Sequence, residues 1–211
     1  AAVTISCLVS QKQNKRPKIL SIYESKDKLD DQISYELKNS GFKPKNAIVI
    51  GALGRVGNGV IDFCKKMNIK TKNWDIKETK GKKNFLEILK YELFFNCVNA
   101  DKKTPTFLTK NSIKLNHNLR IVGDIACDSG SEYNPIDIYD DITTWDMPVV
   151  RIAEKPTLDV MAIDNLPSLL PLESSIDFAS QIFPTLMELV NMDSRVWSYA
   201  KKTFSENMRR L

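Results

Sequence analysis

Three glycines, Gly51, Gly54 and Gly57, follow the apolar run Ala47-Ile-Val-Ile50, and an acid, Asp75, stands eighteen residues beyond the last of them. A buried strand that turns through glycines into a helix bares backbone N–H groups at the positive end of the helix dipole. With no side chain in the way, the pyrophosphate of a dinucleotide can approach those groups closely. An acid at this distance, after a second short strand, is placed to accept hydrogen bonds from the adenosine ribose. It favours NAD over NADP, because a 2′-phosphate would meet a like charge. No histidine–carboxylate pair or other evident proton-transfer set accompanies the loop, so these residues read as a cofactor site without catalytic groups. His117, the only histidine, lies in the polar stretch Asn116–Asn118 and reads as a surface or loop residue.

The elements that must hold these residues alternate as α/β proteins do. The pattern predicts a Rossmann-like doubly wound parallel sheet followed by C-terminal helices. Strands are expected at 47–50, 72–76, 93–98, 119–125, 149–153 and 158–163. A helix over 26–39 carries Leu29, Ile33 and Leu37 at four-residue spacing, with Gly41 as its C′ residue. A second spans 58–67, with Val60, Ile61, Phe63 and Cys64 inward, and a short one lies near 85–90. Residues 106–115 fit a helix or a loop. The stretch 127–145, rich in Asp, Ser, Gly and Pro, reads as a long loop of the functional type. Further on, Ile176, Ala179, Ile182, Phe183, Leu186 and Val190 form a helical stripe, which Pro184 should kink or split. A last helix starts near Asp193 as N-cap and carries Val196, Trp197, Ala200, Phe204 and Met208 on one side.

At 211 residues, 42% hydrophobic and 27% charged, the chain has the composition of an ordinary globular protein. Its net charge of +5 comes from scattered lysines, densest at 12–18 and 77–83. No aromatic interleaving or recognition-helix pattern accompanies them, so they read as solvated surface and no nucleic-acid partner is expected. Cys7, Cys64, Cys97 and Cys127 stand far apart without a C-x-x-C pair. That spacing argues against zinc, another metal or a disulfide scaffold and fits a reducing cytoplasm. Cys97 and Cys127 read as small buried apolar side chains. No apolar stretch reaches the ~18 residues that would span a bilayer, and the opening segment lacks the basic n-region of a signal peptide. The chain starts Ala-Ala rather than with Met, and its first segment reads as the tail of a helix begun elsewhere.

Three later segments make the glycine loop far more specific. They are Trp74-Asp75-Ile-Lys-Glu-Thr79, then Gly123-Asp124-Ile-Ala-Cys-Asp128 leading to Asn134-Pro135-Ile-Asp-Ile-Tyr139, and finally Ala162-Ile163-Asp164-Asn165-Leu166-Pro-Ser-Leu-Leu-Pro171. In order and spacing the four segments resemble the C-terminal part of the NAD-dependent, lysine-forming saccharopine dehydrogenases, relatives of alanine dehydrogenase. The resemblance implies oxidation of saccharopine with NAD and release of lysine and 2-oxoglutarate, in the aminoadipate route of lysine biosynthesis. It implies that Gly54 and Arg55 sit at the pyrophosphate, Asp75 at the ribose and Thr79 near the adenine. Ile125, Ile163, Asp164, Asn165 and Leu166 would border the nicotinamide half, while Ala126, Cys127 and Asp128 would lie against the amino-acid substrate.

The family's proton-transfer lysine and histidine belong to an N-terminal domain that has no counterpart here, so no catalytic residue is expected in this chain. The resemblance thus divides it into the end of a helix from that domain plus a linker (1–16), an NAD-binding domain (17–167) and C-terminal helices (168–211). In the family those last helices cross back onto the N-terminal domain; without it their apolar stripes would lack cover. Asn99 stands where relatives carry Tyr and bears on a cofactor contact. Leu172 stands where Arg is usual. Val56 replaces a Cys of some relatives, which leaves Cys97 without a disulfide partner in the loop. The alternative to a dehydrogenase is a non-catalytic NAD-binding protein, or pseudoenzyme.

Overall fold

Ala47, Ile48, Val49 and Ile50 are all buried, in keeping with a strand covered on both faces. In the computed structural model, which describes residues 1–18, 20–127, 129–191 and 193–209, they form β1 (Asn46–Ile50). This strand lies between β2 (Lys70–Trp74) and β3 (Leu93–Asn96); β5 (Ile121–Asp124), β8 (Thr157–Met161) and β7 (Val150–Glu154) complete a sheet of order β2-β1-β3-β5-β8-β7. All neighbours are parallel except the edge pair β7–β8, which is antiparallel. From β1 the chain goes to one side for β2 and returns to the other for β3. The reversal opens a crevice at the carboxyl ends of β1 and β3, where doubly wound sheets bind ligands. Ile50 pairs with Trp74 and with Asn96, and Asn96 with Asp124, so these strand ends form one row.

Side-chain alternation sends Ala47, Val49, Leu93, Phe95 and Ile121 to one face, where they pack with residues of α1 (Ala2–Lys12), α2 (Lys26–Ser40) and α3 (Arg55–Lys66). Residues Ala2 through Ser10 of α1 are all buried, and Gln11 donates to the Arg120 carbonyl and to Asp159 at 3.0 and 2.7 Å. Helix α2 starts at Ser25, whose hydroxyl accepts from Lys28 N–H at 3.2 Å, and ends at Gly41 with φ 64°. The start and the left-handed stop are those expected from residue type.

The other face carries a thinner layer, with a 3₁₀ turn where a short helix is expected near 85–90. Ile48, Ile50, Phe94 and Val122 pack there against a 3₁₀ turn (Leu86–Lys90), two short paired strands, β4 (Leu108–Thr109) and β6 (Ile136–Asp137), and loop aromatics. Phe85 and Phe107 meet edge-to-face at 5.0 Å, as do Trp74 and Phe85 at 6.4 Å. The stretch 106–115, whose pattern fits either helix or loop, forms β4 and a 3₁₀ turn at Ser112–Lys114. Within this layer His117 is buried, contrary to the surface reading, and its Nδ1 lies 3.0 Å from the Leu119 carbonyl oxygen. Burial holds its pKa below the ordinary 6.5, with the Leu119 carbonyl opposing in part.

Two helices end the chain, α5 (Pro171–Met187) and α6 (Arg195–Met208). Helix α5 runs through Pro184 without splitting. The proline sits in the last turn, where it forfeits only one backbone hydrogen bond. The N-cap of α6 is Ser194, one residue after Asp193, whose own amide donates to Asn191 Oδ1 at 3.2 Å. No side chain of either helix is buried. Phe178, Phe183, Phe204 and Val190 are 60–97% exposed, so the apolar stripes lie open.

Candidate dinucleotide cleft

Gly51 leaves β1 with φ +86°, and a Cβ there would lie 2.6 Å from the Cys97 carbonyl oxygen. A Cβ on Gly57 would collide with the Gly51 carbonyl oxygen. The loop is therefore pressed between β3 and the start of α3, and only glycine fits either position. The Gly51 and Ala52 amides both donate to the Trp74 carbonyl at 3.0 Å, which fastens the turn to the end of β2. Gly54 is the extended N-cap of α3 and brings no capping side chain. The first-turn amides of α3 are thus left to an anionic ligand at the positive helix end. Helix α3 begins at Arg55, three residues before the expected start.

Strand β2 ends at Trp74, and Asp75 follows as N-cap of the one-turn α4 (Ile76–Thr79). One carboxylate oxygen accepts from Ile76 N–H and the other from Leu53 N–H, each at 2.8 Å, and Glu78 accepts from the Asp75 amide at 2.8 Å. Asp75 thus ties the glycine loop to β2. A carboxylate has about four lone-pair sites, so acceptor capacity remains for sugar hydroxyls. Thr79 is buried and donates to the Asp75 carbonyl at 3.0 Å.

A cleft of about 820 Å³ opens here, and Gly51, Gly54, Asp75, Thr79 and Asn99 all line it. Five of the sequence-predicted cofactor residues therefore share one surface. Lys80, Lys82 and Lys103 line it as well. The run 77–83, read as solvated surface, contributes two of these lysines, and Lys82 Nζ lies 3.8 Å from the Trp74 ring centroid. Their positive charge suits an anionic ligand.

A second cavity of about 190 Å³ is lined by Val56, Cys97, Val98, Asn99, Ile125 and Ala126, and three of these residues also line the first. Burial pushes the Cys97 thiol up to about 12, so it stays protonated and acts as a small apolar wall. Cys127, half-buried, donates through Sγ to the Ala162 carbonyl at 2.9 Å. Asn165 faces a third cavity with Leu20 and Trp145, and accepts from the Trp145 indole at 2.9 Å.

The remaining predicted residues stand elsewhere. Gly57 is buried beneath the loop and Ile163 is in the core. Asp164 is exposed, and Leu166, half-buried, starts a 3₁₀ turn. The Arg55 guanidinium binds Asp177 and Gln181 of α5, the latter at 2.6 Å. Asp128 lies outside the described residues. Sequence reasoning omits Asn96 and gives no individual role to Asp124 and Tyr139 within the segments it quotes; the three form a buried polar cluster at the strand ends. The signal that could have found them is a polar residue closing each of two fully buried strands, β3 and β5.

Comparison with known proteins adds the last observation. No protein-family model matches the chain. A Schizosaccharomyces pombe protein is 39% identical over 188 residues, covering 85% of this chain and 51% of that protein. A Candida albicans protein is 39% identical over 201 residues, with coverages of 90% and 52%. One from Yarrowia lipolytica is 35% identical over 202 residues, with coverages of 91% and 55%. All three are named saccharopine dehydrogenase, NAD(+), L-lysine-forming. Over the half of each that it spans, the chain is similar to these saccharopine dehydrogenases. The chain covers about half the length of these curated relatives. Among the described residues no helix is long and apolar enough to cross a membrane.

Proposed function

We propose that this chain is the cofactor-binding part of an NAD-dependent saccharopine dehydrogenase, which converts saccharopine to lysine and 2-oxoglutarate in lysine biosynthesis. The observation that carries the reading is the glycine turn: Gly51 and Gly57 admit no Cβ, and Asp75 shares the cleft. The amides at the start of α3 hold the pyrophosphate, Asp75 accepts from the adenosine ribose, and Thr79 borders the adenine. Asn99, Ile125 and the segment Ile163–Leu166 flank the nicotinamide half. Ala126, Cys127 and Asp128 lie along the amino-acid substrate. Bound NAD supplies the hydride acceptor. Within this chain the residues bind and orient; the proton-transfer lysine and histidine come from an upstream domain.

The test is direct. Protein supplied with its upstream domain, mixed with NAD and saccharopine, should raise NADH absorbance, while the chain alone should bind NAD with little or no turnover. Absence of NADH from the completed protein contradicts the dehydrogenase reading. Retained NAD binding in that case would favour the non-catalytic alternative, for which Asn99 and Leu172 are the motivating departures.

A further inference from the structure

Asp124 closes β5 at the carboxyl edge of the sheet and is fully buried. A carboxylate so placed is strongly disfavoured unless hydrogen bonds replace its water. Here Oδ1 accepts from Asn96 Nδ2 at 2.9 Å and from the Cys127 amide at 3.2 Å, while Oδ2 accepts from the Tyr139 hydroxyl at 2.7 Å. The three donors come from the end of β3, the start of the loop that follows β5, and a point twelve residues further along that loop. One buried carboxyl group therefore fastens both parts of the loop to the sheet.

Between those fastenings the backbone is strained. Cys127 has φ +57°, a left-handed conformation that costs a non-glycine residue about 1–3 kcal/mol and persists only where neighbours hold it. Its amide is bound by Asp124 and its thiol by the Ala162 carbonyl. The bend aims Ile125 and Ala126 at the second cavity. Asp124 itself lines neither that cavity nor the glycine cleft, so it acts through the residues it holds.

We propose that Asp124 and Tyr139 form a positioning pair that holds the 125–127 bend against the second cavity and thereby sets affinity for the amino-acid substrate more than for the dinucleotide, whose nicotinamide half Ile125 borders. This rests on the dehydrogenase reading above. Tyr139→Phe in the complete protein keeps the ring and removes the hydroxyl that donates to Asp124. Backbone amides over 125–127 should then exchange with deuterium about tenfold faster, and KM for saccharopine should rise about tenfold, the scale of one such bond. The Kd for NAD by calorimetry should rise by less, about threefold at most. In Asp124→Asn, Oδ1 still accepts from Asn96 and Cys127 and the amide can donate to the tyrosine oxygen, so KM should stay within about threefold of the parent. Unchanged exchange in Tyr139→Phe, or an equal loss for NAD and saccharopine, overturns the inference while leaving the dehydrogenase reading intact. A parent protein that forms no NADH from saccharopine overturns both.

Discussion

The Asp75 carboxylate accepts backbone amides of Leu53 and Ile76 and also faces the cleft, so its variants separate structure from binding. Asp75→Asn keeps one acceptor oxygen. It should lose about tenfold in NAD affinity and narrow the preference over NADP, with less stability loss than the ~1 kcal/mol that removal of a cap by alanine costs. Trp74, buried beside it, reports both titrations by fluorescence. Equal NAD and NADP affinity in the unmodified chain removes Asp75 from its role. Gly57→Ala puts a Cβ into the Gly51 carbonyl; urea melts should show about 1–3 kcal/mol of lost stability. His117 makes a pH prediction. Its folded pKa is depressed by burial below the ordinary 6.5, so the unfolded chain takes up the proton first. Its contribution is complete above that value and declines as pH falls below it, towards the folded pKa. His117→Gln should flatten the fall in melting temperature between about pH 7 and pH 5.5.

Among the helices, α5 reaches the start of α3 beside the cofactor loop, through Arg55 with Asp177 and Gln181. The Arg55 and Asp177 side chains are more than half exposed, and exposed pairs contribute only a few tenths of a kcal/mol. Asp177→Asn should leave the melting temperature unchanged and tighten NAD about twofold by freeing Arg55 for the pyrophosphate; calorimetry checks it, and weaker binding contradicts it. The same scale shows what is legible in the sequence. Strand β1 and helix α2 carry strong local signals, an unbroken apolar run and a Ser start with a Gly stop. Helix α3 begins three residues earlier than its pattern suggests because Gly57 and Gly59 are poor helix formers, and packing overrides propensity there. The second layer over the sheet is hidden because loop aromatics far apart in the chain build it, with no period to read. The burial of His117 is hidden too, because its polar neighbours in sequence give no sign of a ring shielded from water. In the site, the glycines and Asp75 are legible from spacing, whereas Lys80, Lys82 and Asp124 acquire meaning only where strand ends converge.

For the molecule as a whole, the open stripes of α5 and α6 are the largest departure from a self-sufficient core. Apolar faces of this kind mark an absent partner or an aggregation hazard. In the dehydrogenase reading proposed above they would be the docking face for the upstream domain. The chain alone should therefore bind an apolar dye and self-associate with rising concentration, and adding that domain should suppress both, as read by dye fluorescence and light scattering. Dye binding that persists in the completed protein contradicts that assignment. Whether the glycine turn and Asp75 hold NAD is decided by titrating NAD into the folded chain in a calorimeter. Saturable heat at one NAD per chain is expected, markedly weakened by Gly57→Ala at a temperature where that variant is still folded. A folded chain that gives no heat of binding would mean that this turn holds no dinucleotide.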